Sequence, residues 1–326
     1  MTLLLSDTDV RQVLSWTEAV ETLREAYRAE SRTENFPERT MARGDQVWLR
    51  NLSGVMPDGS LMGGKYISLS IRGGAASYLI SLFDQETSRP LAIMDGNSIT
   101  GFRTAATTAL ALDYLSPQRD HLTVGVIGSG FEAQSHLRAF AAVRDVASAK
   151  VFSPNPASRQ RFIEGMGDLA MDLEDCESPQ EAARDVDVVL CAARARGEAP
   201  TFHGDWIQPG MTIASIGSTL PEQRELDVTA IDRVDRIVVD MLDEVIDDTG
   251  DMIEARRAAI DVRAKTSELT ALVANEALAR QDDTEVLLFK SVGSAIQDLA
   301  VAALARTLAQ ARGIGTTTDV FQSVRK

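Results

Sequence analysis

The stretch Thr123-Val-Gly-Val-Ile-Gly-Ser-Gly-Phe-Glu-Ala133 constrains the chain more than any other. Val124, Val126 and Ile127 form a short apolar run, and Gly128, Gly130 and Ala133 follow it as G-x-G-x-x-A. In a βαβ unit the first glycine permits a tight turn and the second lets a pyrophosphate approach the backbone. The third small residue keeps the new helix against the strand. Phosphates would sit on the unpaired N–H groups that open this helix, where the helix dipole also favours an anion. A strand before the turn and Ala133-Gln-Ser-His-Leu-Arg-Ala-Phe140 as a helix after it supply the context. The expectation is a dinucleotide site in mid-chain, with Gly128, Ser129, Gly130, Phe131, Glu132 and Ala133 forming the turn.

Downstream the pattern alternates. Lys150-Val-Phe reads as a strand, Asn155-Pro156 as a helix N-cap with proline at N1, and Ser178-Pro-Gln-Glu181 as a capping box. Asp187–Ala193, Met211–Gly217, Arg236–Asp240 and Glu285–Phe289 are short runs of the kind a parallel sheet buries on both faces. Strands alternating with helices predict an α/β fold with a doubly wound parallel sheet. The acidic run from Asp240 to Asp251 reads as a solvated helix face.

The first third differs. Ser6 with Asp9, and Ser15 with Glu18, are capping arrangements; Val20, Leu23 and Tyr27 repeat at helical spacing, so a helix is predicted from Trp16 to about Ser31. Gln46–Arg50, Lys65–Ser70, Ser77–Phe83 and Leu91–Met94 read as strands separated by Gly-rich turns, a meander rather than a second nucleotide fold. Thr104–Leu112 is dense in small side chains, which lets a helix pack closely, with Arg103 at its first turn. Ser116-Pro117 marks a boundary. One domain is expected over 1–118 and a second over 119–293, with a C-terminal segment, 294–326, opening as an Ala-rich helix that Gly313 ends and rejoining the first.

A length of 326 residues suits two such domains at roughly 100–200 residues each. With 33 Lys+Arg against 48 Asp+Glu the net charge is −15, which disfavours non-specific binding to nucleic acid or anionic membranes. An anionic substrate therefore needs a local cluster of positive side chains. No apolar run approaches the ~18–20 residues of a membrane span, and Met1-Thr-Leu-Leu-Leu-Ser-Asp7 lacks the basic region of a signal peptide, so a cytoplasmic protein is expected. Cys176 and Cys191 form no C-x-x-C motif and His121, His136 and His203 are scattered, so neither a disulfide framework nor a metal site is expected.

Gly54-Val-Met-Pro57, Lys65, the segment Met94-Asp-Gly-Asn-Ser-Ile-Thr-Gly-Phe-Arg-Thr-Ala-Ala-Thr107, Val126-Ile-Gly-Ser-Gly130 and Phe289-Lys-Ser-Val-Gly293 occur in that order over nearly the whole chain. In these motifs the sequence resembles the ornithine cyclodeaminase/mu-crystallin family, and R-T-A-A-T is far more specific than a Gly-rich turn. The resemblance implies a homodimer. Its first domain, an α+β unit completed by the C-terminal helix, would bind substrate and dimerise; its middle domain, Rossmann-type, would bind a nicotinamide dinucleotide. Members include amino-acid cyclodeaminases, amino-acid dehydrogenases and ketimine or cyclic-imine reductases, and mu-crystallin is also a hormone binder and lens protein. Their common chemistry is hydride transfer between the nicotinamide and the α-carbon of an amino acid or its imine.

Carried over position by position, the resemblance makes Arg39 the arginine on the substrate carboxylate. Lys65 becomes the lysine that contacts the same carboxylate and assists proton transfer, and Arg103 the arginine between substrate and cofactor. Met56 lies in a matched substrate segment; Ser215, Ile216, Ser291, Val292 and Gly293 join the dinucleotide side. The chemistry is coherent on its own terms: planar arginine suits a carboxylate, and lysine is a compact charge whose pKa falls near other cations. Cations around Lys65 would depress it enough for acid/base work near neutral pH.

The chain departs from the family pattern twice. Cyclodeaminases carry an aspartate after the glycine at the end of the Met211–Gly217 strand, acting on the substrate amine and on water. Thr219 stands there in this chain and cannot carry that charge. At the end of the second nucleotide-binding strand, where an NAD-selective site places a carboxylate on the ribose, stand Ser153 and Asn155, with Arg159 and Arg161 nearby. A 2′-phosphate is then tolerable, and NADP is favoured over NAD. The expected function is NAD(P)H-dependent reduction of an α-imino acid, reversible as an amino-acid dehydrogenase. The substrate side chain stays open among alanine-type, cyclic and dicarboxylic imines. The alternatives are a cyclodeaminase with a substituted acid/base and a non-catalytic small-ligand binder of mu-crystallin type.

Overall fold

A computed structural model describes residues 1–195 and 197–321. The chain divides into two compact units, Met1–Thr104 with the chain from Ser294 onward, and Ala105–Gly293. The division falls inside a helix, not at Ser116-Pro117.

The first unit opens with β1 (Thr2–Leu5), α1 (Asp7–Val13) and α2 (Trp16–Arg28). Ser6 and Ser15 cap the two helices by accepting from Asp9 N–H and Glu18 N–H, and Val20, Leu23 and Tyr27 are buried, as their spacing requires. Strands β2 (Thr40–Gly44), β3 (Val47–Val55), β4 (Leu61–Ser70), β5 (Ala75–Asp84) and β6 (Pro90–Asp95) follow as an antiparallel meander. The helix α3 (Asn97–Leu115) then begins earlier than its small residues suggested, so Arg103 lies beyond its first turn.

The second unit alternates throughout: β7 (Leu122–Ile127), α4 (Phe131–Ala141), β8 (Val146–Phe152), α5 (Pro156–Gly165), β9 (Asp172–Asp175), α6 (Pro179–Ala182), β10 (Val188–Cys191) and β11 (Thr212–Ser215). It continues with α7 (Val228–Arg233), β12 (Arg236–Val239), α8 (Leu242–Asp248), α9 (Gly250–Arg257), β13 (Thr266–Glu268), α10 (Leu269–Ala274) and β14 (Leu287–Lys290). Finally α11 (Ala295–Arg312), ended by Gly313 at φ 65°, and β15 (Thr316–Thr318) belong to the first unit.

In the first unit seven strands run in the order β15-β1-β6-β5-β4-β3-β2. Leu52, Lys65, Ile80 and Met94 form one row across β3, β4, β5 and β6, on the face that buries Leu52, Ile67, Ile80 and Leu82. Leu299 of α11 packs there, so close that a Cβ on Gly54 or Gly63 would lie 3.1 Å from it. The opposite face leaves Val47, Leu49, Val55, Tyr66 and Leu79 exposed.

The second unit is built on the expected parallel sheet of eight strands, ordered β13-β12-β14-β11-β10-β7-β8-β9. Chain order reverses at β7, between β10 and β8, and ligands of such sheets bind at the carboxyl ends beside that point. The core is continuous, with Val189, Ile213, Ile237 and Leu288 contributed by neighbouring strands. Among the described residues no helix is long and apolar enough to cross a membrane.

One expectation is overturned. The acidic run is not a solvated face: Asp243, Asp247 and Asp248 are exposed, but Asp240, Glu244 and Asp251 are buried. Asp240 accepts from Ser291 Oγ at 2.6 Å, Val292 N–H at 3.0 Å and Gly293 N–H at 2.8 Å, and these bonds compensate its desolvation. Sequence shows the charge; only the fold shows which carboxylates have inward donors.

Candidate functional site

Each unit gathers its own set of polar groups. In the first, the centre is Lys65. Its place in the row of Leu52, Ile80 and Met94 sends the side chain to the core face, and it is fully buried. Lys65 Nζ donates to Asp298 Oδ1 at 2.7 Å, and Thr100 Oγ1 lies 3.5 Å away. Arg103 Nε reaches the same Asp298 oxygen at 3.0 Å, and Arg103 Nη1 donates to Gln297 Oε1 at 2.8 Å. Gln297 Nε2 in turn donates to the Tyr27 hydroxyl at 2.9 Å, so α2, α3, β4 and α11 all contribute.

Two cations on one carboxylate leave this cluster positive, which suits an incoming carboxylate. Burial, first, and the Arg103 charge beside it hold Lys65 far below its ordinary value, at about 7; Asp298 works in the opposite direction, and Arg39 adds to the depression. The expectation of a neutral-range lysine stands on a different main cause than the crowd of cations invoked for it: burial dominates. Arg39 is half-buried just before β2, its charge acting on Lys65. Its sequence neighbours fall elsewhere, with Arg43 exposed and Arg50 stacked over Trp48 at 5.1 Å. Met56 sits at the tip of the β3–β4 hairpin, where its N–H donates to Leu61 O at 2.9 Å. It is four residues beyond Leu52, the partner of Lys65, and thus roughly 13 Å along the strand.

The second unit carries the turn. Gly128 adopts φ 122°, and a Cβ there would lie 2.7 Å from Ala192 O, so a side chain is excluded on both counts. At Gly130 a Cβ would point into open space, which leaves the backbone approachable. Gly130 is the N-cap of α4 and brings no side chain to that end of the helix, where the helix dipole favours an anion. Ala133 is buried against the sheet; Ser129 is half-buried, Phe131 exposed, and Glu132 keeps its carboxylate partly solvated. These features fit a pyrophosphate.

Other residues expected on the dinucleotide side turn inward. Arg159 is buried, paired with Asp175 and donating to Ser153 O at 2.7 Å; it braces the start of α5 instead of offering its charge to a 2′-phosphate. Asn155 caps the same helix through Ala157 N–H at 3.0 Å. Ser215 Oγ donates to Glu225 Oε2 at 2.8 Å, Ile216 N–H to Cys191 O at 3.2 Å, and Ser291, Val292 and Gly293 are held by Asp240. Thr219 is tied through its N–H to Gln223 Oε1 at 2.9 Å.

Sequence reasoning missed Asp298, Gln297, Tyr27 and Glu225. Gln297-Asp298 was findable as the one polar pair near the start of an Ala-rich apolar helix. Glu174, Cys176 and Glu181 bring possible metal-ligand atoms within 4.8 Å of one another, but burial and these carboxylates push the Cys176 thiol up to about 11, which opposes a thiolate.

The model of the ornithine cyclodeaminase/mu-crystallin family matches residues 2–312. A Delta(1)-pyrroline-2-carboxylate reductase of Bacillus cereus is 29% identical over 242 residues, covering 73% of this chain and 72% of the relative. Among solved structures, the Thermococcus litoralis Delta(1)-pyrroline-2-carboxylate reductase in complex with NADH and L-proline superposes with a TM-score of 0.88 at 30% identity, over 97% of this chain and 100% of that one. An archaeal alanine dehydrogenase dimer with bound NAD gives 0.87 at 26% identity, over 98% and 99%.

Proposed function

Because this chain belongs to the ornithine cyclodeaminase/mu-crystallin family, we propose that it reduces the C=N bond of an α-imino acid with NADH or NADPH and runs in reverse as an amino-acid dehydrogenase. It is an NAD(P)-dependent oxidoreductase acting on C=N or CH–NH2. The observation that carries the reading is the buried Lys65–Asp298–Arg103 cluster, a positive carboxylate-binding group containing a lysine that titrates near neutrality.

A bound dinucleotide supplies the hydride that the α-carbon receives. Its pyrophosphate would rest on the Gly128–Gly130 turn and at the N-terminus of α4. Arg103 and Arg39 hold the substrate carboxylate, fixing the plane of the imine. Protonated Lys65 gives its proton to the imine nitrogen, making the carbon a better hydride acceptor, and recovers it from solvent afterwards. Asp298 keeps Lys65 in place. Its Oδ2 is buried and accepts no hydrogen bond from the described residues, so it is the acceptor for the substrate N–H. This supplies a carboxylate for substrate nitrogen where Thr219 has none.

Cyclic imino acids are the favoured class, since the relatives above include reductases of pyrroline-2-carboxylate. With Arg159 committed to Asp175 and no carboxylate at the end of β8, neither dinucleotide is excluded by charge, and comparable use of both is the reading. We also read the exposed Val47–Leu49–Tyr66–Leu79 face as a homodimer surface. A panel tests the function: NADH or NADPH with cyclic imines, and with 2-oxo acids plus ammonia or methylamine. Cofactor oxidation supports it. No oxidation with any imine, together with ammonia release from ornithine, would mean cyclodeamination; binding without turnover would mean a ligand-binding protein.

A further inference from the structure

In the second unit, buried polar groups converge on a carboxyl that no step above uses. Glu225 lies fully buried in the connection between β11 and α7. Its Oε1 accepts Ala193 N–H at 2.9 Å; its Oε2 accepts Ser215 Oγ and Gly217 N–H, each at 2.8 Å. One side chain thus joins the loop after β10 to the loop after β11. Gly217 makes room for it, since a Cβ there would lie 2.5 Å from Glu225 Oε1.

The charges around it are arranged by three other elements. Asp251 of α9 accepts the N–H groups of Glu225 and Leu226 at 2.9 and 3.1 Å, fixing the backbone. Lys290, at the end of β14, pairs with Asp251 at 3.0 Å and donates to Ser215 Oγ at 3.1 Å and Ser218 O at 3.0 Å. The Cys191 thiol of β10 feels the Glu225 charge, and Arg224 lies 4.0 Å from Asp251. The loop after β10 is also the one against the phosphate turn: Ala192 N–H donates to Ile127 O at 2.9 Å, and Ala192 O is the atom that excludes a Cβ from Gly128.

We propose that Glu225 is a positioning residue for the dinucleotide, tying the loops after β10 and β11 into one platform beside the Gly128–Gly130 turn, and that dinucleotide affinity follows its ionisation. The proposal rests on the reading of this unit as a nicotinamide-dinucleotide domain. Its physical basis is the donor set. Two of the three donors are backbone N–H groups, which cannot reverse to accept. A proton on Oε1 would face Ala193 N–H. A proton on Oε2 would either face Gly217 N–H or take away the bond that Ser215 Oγ donates, by turning that hydroxyl into an acceptor; in each case a bond that holds the carboxylate is lost. Glutamine meets the same conflict, because its NH2 opposes a backbone N–H in both flips. Burial pushes the carboxyl up to about 7, Lys290 opposing and Asp251 adding to the rise, so the break falls as pH drops below neutrality.

The test is direct titration of NADH and NADPH, read by cofactor fluorescence, from about pH 6 to about pH 8.5 at constant ionic strength on wild type, Glu225→Gln and Ser215→Ala. The wild-type Kd is expected to rise about tenfold from pH 8 to pH 6, and folded Glu225→Gln to bind about tenfold more weakly at pH 8 with no pH dependence. Ser215→Ala removes one bond that favours the carboxylate, so its midpoint should move to higher pH; this arm decides if Glu225→Gln does not fold. A flat wild-type profile, a folded Glu225→Gln that binds like wild type at pH 8, or an unmoved Ser215→Ala midpoint overturns the role of Glu225. Wild type that binds neither dinucleotide at any pH overturns the dinucleotide reading itself, a result distinct from the other three.

Discussion

Lys65 is a charge placed where an apolar residue belongs, in a row with Leu52, Ile80 and Met94, and Asp298 is what makes the placement tolerable. Because the folded chain holds Lys65 at about 7 against 10.5, the unfolded chain takes the proton first as pH falls. This lysine therefore subtracts progressively from stability between those values. In the proposed reaction the same shift provides an acid at neutral pH. Lys65→Ala is expected to lower imine reduction by roughly 10²–10⁴-fold with dinucleotide affinity nearly unchanged, as steady-state kinetics beside fluorescence titration would measure. If Lys65 is the proton donor, as proposed, reduction should also fall as pH rises through about 7. Asp298 favours its charged form, so in Asp298→Asn that fall should move to lower pH; a profile that stays put would remove Asp298 from the role assigned to it. Lys65 and Arg103 were legible because each stands in a motif. Asp298 was not: it meets Lys65 from 233 positions away, and nothing local marks an aspartate as buried against a strand.

At the scale of elements, the turn after β7 reads almost completely from sequence, because its demands are local: a residue at φ 122°, an open backbone, and a small side chain under α4. Gly128→Ala meets two obstacles there, an unfavourable φ and Ala192 O at 2.7 Å. It is expected to abolish measurable dinucleotide binding while far-UV circular dichroism stays native; binding like wild type would mean that the phosphates lie elsewhere. Two of the elements that escaped notice depend on distant partners. Thr2–Leu5 and Thr316–Thr318 are strands only because they pair with each other and, for the first, with β6. The acidic run after β12 failed for the same reason, since Asp240 is buried by donors from Ser291, Val292 and Gly293.

At the scale of the molecule, the exposed apolar residues of β3, β4 and β5 share one face of a sheet whose other face is covered by α11. The homodimer surface proposed above rests on this face, because exposed apolar patches are where interfaces form. Leu49→Lys at its centre is expected to convert a dimer to a monomer by light scattering; an unchanged mass would place self-association on another surface. The meander was legible as strands, but which face the helix covers depends on α11 arriving from the far end of the chain.

The proposed function turns on hydride reaching the α-carbon of an imino acid, and an isotope reads that event directly. NADH and NADPH deuterated at C4, on each face in turn, are mixed with pyrroline-2-carboxylate and the protein, and the amino acid formed is analysed by mass spectrometry and NMR. One face of the cofactor should deliver deuterium to the α-carbon, and Lys65→Ala should suppress the product. Absence of deuterium at that carbon from either face of either cofactor, across the cyclic and acyclic imines, would overturn the proposed imine reduction.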